Sequence, residues 1–121
     1  MENLNEVFEG SMWKETIFIT GSAVEKYMGS VFYPSSEQAK DHVHGVMMMG
    51  IASSVMAKKI PGSIVMKTES KFPNPTPTGS QVTVVCTVKY RTGRLAEIVT
   101  IVKNDLKVIV MESSCVVQLP K

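Results

Sequence analysis

The segment from Gly45 to Lys59, GVMMMGIASSVMAKK, carries no charge until Lys58, and this restricts the fold more than any other feature. As a helix its roughly 15 residues would span about 22 Å at 1.5 Å per residue. Pro61 and Gly62 stop it, and Lys58 and Lys59 suit the negative end of its dipole. A helix with almost no polar face is expected to be buried nearly all round. Gly50, Ala52, Ser53 and Ser54 keep part of its surface thin enough for close approach by a sheet or a second helix. The three consecutive methionines read as core filler, since the thioether side chain suits irregular gaps.

The rest of the chain must supply the wrapping. Lys14 to Thr20, KETIFIT, reads as a first strand. Thr20 or Ser22 is placed to cap a short helix, with Glu25 in its first turn and Val24, Tyr27 and Met28 on its inner face. Gly29 to Lys40 is rich in turn residues and reads as an irregular connection, with Ser35 or Ser36 placed to open a single helical turn. After the long helix the period changes to two. Strands are expected at Ser63 to Phe72, Gln81 to Arg91, Leu95 to Lys103 and Lys107 to Gln118. The loop PNPTPTG, Pro73 to Gly79, cannot be an internal strand because proline lacks the ladder donor. Thr92-Gly93 is a turn, and Asn104-Asp105 is expected to make a tight hairpin, as both tolerate positive φ.

Short connections imply an antiparallel meander. A helix without a polar face, followed by such strands, implies an α+β domain of the hot-dog type, a curved antiparallel β-sheet wrapped around a long central helix. The 121 residues suit a single domain, 1–121. Edge strands and uncovered apolar surface in that arrangement favour a homodimer, or a higher oligomer built from dimers.

Composition excludes several roles. A formal net charge of +2, without a block of like charges, argues against a nucleic-acid partner. No apolar run reaches the roughly 18 residues of a membrane span. The acidic, polar start MENLNEVFEG does not read as a secretory signal, so a cytoplasmic location is expected. Cys86 and Cys115 lie in valine-rich runs without C-x-x-C spacing and read as buried, reduced thiols. The bare H-x-H of His42 and His44 is too little for a metal site, and no cofactor is expected.

Four pieces fall in order along the chain: H-G-x-M at His44 to Met47, P-G-S-I at Pro61 to Ile64, K-F-x-x-P at Lys71 to Pro75, and TGSQVTV at Thr78 to Val84. This set resembles the MaoC-like, R-specific enoyl-CoA hydratase branch of the hot-dog superfamily. The likeness runs from about His44 to Lys121. It implies a dimer that binds acyl thioesters of coenzyme A or acyl carrier protein. It also implies that Gly45 opens the central helix and aims its backbone N–H at the thioester carbonyl, with Val46 beside it. Helix N-termini do offer unpaired donors and a partial positive charge, which stabilise an enolate-like oxygen. By the same resemblance a pantetheine arm runs along Ser63, Ile64, Val65 and Met66 and past Phe72. Lys58, Lys59, Lys71, Arg91 and Arg94 are candidates for meeting coenzyme A phosphates.

The hydratases of that branch carry D-x-N-P-x-H before the central helix, and this chain does not. Pro34 survives, but no Asp precedes it and no His follows it at the motif spacing; Ser30 and Ser36 lie near those places. Among nearby groups, His42 and Glu37 are the candidate bases, with His44 next to the helix glycine and Asp41 placed to cap the helix entry. Three readings stand: a hydratase or dehydratase with a rearranged or degenerate catalytic segment, a hot-dog thioesterase, and a non-catalytic protein binding an acyl thioester or another small apolar ligand.

Overall fold

The computed structural model describes residues 7–30, 43 and 45–120. Its elements are β1 (Met12–Phe18), α1 (Gly21–Ser30), α2 (Gly45–Lys59), β2 (Ile64–Lys71), β3 (Gln81–Thr92), β4 (Leu95–Asn104) and β5 (Ile109–Gln118). The five strands form one sheet in the order β1-β3-β4-β5-β2, with every neighbouring pair antiparallel.

The period-two pattern decides which face of the sheet is core. Val82, Val84, Cys86 and Val88 of β3 are buried, as are Ala96, Ile98, Thr100 and Val102 of β4. Ser113, Cys115 and Val117 of β5 continue that face. Against it pack Met48, Ala52, Val55 and Met56 of α2, which recur at helical spacing. Trp13 of β1 donates its Nε1–H to the Val55 carbonyl at 3.1 Å and so ties the helix to the β1 side. Thr20 is the cap of α1, accepting a 3.0 Å hydrogen bond from the Ala23 amide, and Val24 of α1 is fully buried. The side chains of Glu25 and Met28 lie outside the described residues.

Three expectations are corrected. First, the four later strands are not one meander. Only β3, β4 and β5 are, while β2 pairs with β5 at the far edge. The proline-rich loop is the reason, because it is too long and too poor in donors for a hairpin and instead crosses the sheet end. Asn74 Nδ2 donates to the Ile109 carbonyl at 2.8 Å, the Val43 amide to Thr76 at 2.8 Å and the Gly79 amide to Ile19 at 2.9 Å. Second, α2 is buried on one face only. Val46 is 58% exposed, and Gly50, Ser53, Ser54 and Ala57 are exposed with it, because the sheet covers the helix from the β1 and β3 side. Third, the β4–β5 turn has its positive φ at Lys107 (63°), not at Asn104 or Asp105. Asn104 instead organises a longer turn, its Oδ1 accepting from the amides of Leu106 and Val108 at 2.9 and 3.0 Å.

β2 is the odd strand of the sheet. All its residues except Ser70 are exposed, and no strand lies on its outer side among the described residues. A bulge falls between Val65 and Lys67, which leaves Met66 out of the ladder.

Candidate functional site

Two cavities lie along α2. The first, about 280 Å³, surrounds the start of the helix and is lined by Val43, Gly45, Met48, Phe72, Asn74 and Val110, among others. Gly45 is the first residue of α2, so its amide is one of the helix donors without an intrahelical partner. A Cβ on Gly45 would stand 3.3–3.5 Å from three atoms of the Phe72 ring. A side chain here would crowd the ring, and glycine leaves that space open. Phe72 is itself 44% exposed, so its other side faces solvent. The loop bonds of Asn74 and Thr76 described above fix this end of the molecule.

The second cavity, about 300 Å³, runs between α2 and the β5–β2 side of the sheet. Both volumes fall at the small end of the range for ligand pockets. On the helix side the lining is Val46, Met49, Gly50, Ala52, Ser53 and Met56. On the sheet side it includes Val65 and Met111, but also Thr68, Ser70, Thr100 and Ser113. None of those four hydroxyl residues is among the candidates read from the sequence. Their signal is phase. Thr68 and Ser70 alternate along β2, and Ser113 shares the face of Cys115 and Val117.

Gly45 and Phe72 line the first cavity together, and Val46 and Val65 line the second. The remainder of the expected binding stretch is not brought to Gly45. Ser63, Ile64 and Met66 lie at or just before the opposite end of β2, about 20–30 Å along the chain from Phe72. Met66 and Ile64 are each 59% exposed. His42, Glu37 and His44 lie outside the described residues, as do Pro34, Ser35, Ser36 and Asp41, and the side chain of Ser30.

The candidate cations divide. Lys58 pairs with Glu15 at 2.7 Å. Arg91 donates to the carbonyls of Val7 and Gly93, and Arg94 to that of Leu119 at 3.1 Å, so both arginines hold backbone together. Lys71 is exposed, one residue before Phe72. Both thiols are buried. Burial pushes the Cys86 thiol up, partly offset by its contact with Thr100 Oγ1, and burial likewise raises Cys115. Neither is a reactive thiolate at neutral pH. Among the described residues no three His, Cys, Asp or Glu side chains gather at metal-binding distance, and no helix is long and apolar enough to cross a membrane.

No family model matches this sequence, and no curated protein matches it by sequence. Solved structures do match in fold. An R-hydratase from A. caviae involved in PHA biosynthesis superposes with a TM-score of 0.80 at 18% identity, covering 93% of this chain and 96% of that one. A MaoC-like dehydratase from Rhodospirillum rubrum gives 0.76 at 20% identity, covering 98% and 97%. A Streptococcus mutans protein solved bound to acetyl CoA gives 0.71 at 10% identity, covering 93% and 84%. The chain has the hot-dog fold. Its structural neighbours include the MaoC-like and R-hydratase proteins that the ordered sequence pieces resemble.

Proposed function

We propose that this protein binds acyl thioesters, carried on coenzyme A or acyl carrier protein, and acts as a MaoC-like enoyl hydratase or 3-hydroxyacyl dehydratase. The observation that carries the reading is the opening of α2. Gly45 heads a largely apolar helix beside a cavity walled by Phe72, and a second cavity follows the same helix from Val46 to Met56. A thioester carbonyl placed at the Gly45 amide would have its developing negative charge met by a fixed donor and the helix dipole. Hydration then adds water across the Cα–Cβ double bond. The hydroxyl goes to Cβ as a base takes the water proton, and the protonated base returns that proton to Cα as the enolate-like oxygen collapses to the carbonyl. Dehydration is the reverse. His42 or Glu37, just upstream of the helix, is assigned the base, with His44 beside the glycine. The hydratase, the dehydratase and the acetyl CoA complex among the fold neighbours support this ligand class.

The working unit is a homodimer. Among the described residues β2 has no strand partner on its outer side, all its residues but Ser70 are exposed, and the open face of α2 lies beside it. Antiparallel pairing of two β2 edges would set the start of one strand beside the end of the other. That brings together the two halves of the binding stretch, which a single chain holds about 20–30 Å apart along β2.

Incubation of the purified protein with crotonyl-CoA and a panel of saturated acyl-CoAs tests the reading. Loss of enoyl absorbance is the expected result. Release of free thiol would reassign the protein as a thioesterase, and turnover-free binding would make it a carrier or sensor. If no acyl-CoA binds, the ligand class is wrong.

A further inference from the structure

The wall of the cavity between α2 and the β5–β2 side of the sheet is two-sided. Its helix side is apolar, but its sheet side presents Thr68, Ser70, Thr100 and Ser113. Three of these hydroxyls converge. Ser70 Oγ donates to Ser113 Oγ at 3.1 Å, and Thr68 Oγ1 lies 3.3 Å from the same atom. The cluster therefore holds three hydroxyl protons and two internal hydrogen bonds. Whichever way the Thr68–Ser113 bond runs, one proton has no acceptor inside the cluster, and several lone pairs remain. Thr100, buried deeper, is 3.5 Å from the Cys86 thiol, a weak partner. An unsubstituted hydrocarbon chain in this cavity would remove water from these groups and return nothing.

We infer that the acyl chain accepted here carries an oxygen substituent, a hydroxyl or oxo group, on its distal part. This rests on the reading of Gly45 as the thioester end. Phe72 shares the first cavity with Gly45 just past the end of β2, and Ser70 and Thr68 lie two and four residues before it, on one face of β2. They lie about 7 and 13 Å back along the strand at about 3.3 Å per residue. An extended chain starting at the Gly45 amide meets them at roughly its fifth to tenth carbon, given C–C bonds of about 1.5 Å. The recognised oxygen is thus far from the Cα–Cβ bond where the proposed chemistry occurs.

The test measures binding of octanoyl-CoA and ω-hydroxyoctanoyl-CoA to the full chain by calorimetry. The hydroxylated chain is expected to bind about tenfold more tightly, the worth of one well-formed hydrogen bond. In the Thr68→Val, Ser113→Ala variant that preference should vanish. Thermal melting checks that the variant is folded, and Ser70→Ala serves if it is not. Equal or weaker binding of the hydroxylated chain, with octanoyl-CoA still bound, overturns the inference and leaves the acyl-thioester reading standing. Absence of binding by both, and by acetyl-CoA, overturns both together.

Discussion

The two sides of α2 differ in kind. Toward β1 and β3 the helix is packed, with Met48 and Val55 in the buried core and Trp13 bonded to the Val55 carbonyl. Toward β5 and β2 it stands off, leaving a cavity of about 300 Å³ and an edge strand of exposed residues. The closed side supplies stability, and the open side is the one that the proposed function assigns to an acyl chain and a second copy. Both follow from one sequence feature, a helix apolar all round but given sheet cover on one side only.

Substitutions on the two sides should therefore separate. Ile98→Ala, at a fully buried position of β4, should cost about 2–5 kcal/mol in urea unfolding. Val65→Ala, 44% exposed on β2, should cost less than about 1 kcal/mol when the protein is held monomeric by dilution. Similar losses at both sites would erase the distinction. Gly45→Pro sharpens it chemically, since proline is tolerated at the first helical position but has no N–H to offer. Crotonyl-CoA turnover should fall about 100-fold, as for loss of one oxyanion donor, while Gly45→Ala, which keeps the N–H, should lose less. Trp13→Phe removes the tie on the closed side and should lower stability by about 1 kcal/mol, with little change in acyl-CoA affinity.

The thiols give a pH test of the closed side. Both are raised by burial, so the folded protein keeps protons that the unfolded chain releases above the ordinary value of 9.0. Their contribution is intact below that value and is lost as pH rises beyond it. The urea midpoint should drop between pH 8 and pH 10, and less so in a Cys86→Val, Cys115→Ala variant.

Much of the fold was legible because period and punctuation agree. The helix bounds Gly45 and Lys59, the strands β3 to β5, and the buried cysteines follow from residue pattern alone. The pairing of β2 with β5 was not legible, since strand order depends on where a proline-rich loop travels and not on the strand's own residues. The open face of α2 was missed for a related reason. Val46, Gly50 and Ser53 look like core or close-packing residues, and nothing in the residues says the sheet stops short of them. At the site, Gly45 and Phe72 were legible as members of ordered motifs, and the structure adds that they line one cavity. The hydroxyl cluster needs partners from two strands, Thr68 and Ser70 opposite Ser113, and so becomes visible only once register is known.

The most direct test of the helix opening as the thioester end is an amide NMR titration of the protein with octanoyl-CoA. The Gly45 amide should shift downfield and lead the response, with Phe72 and Met56 following. Saturable binding that leaves the Gly45 amide unmoved, with shifts confined elsewhere, would contradict it.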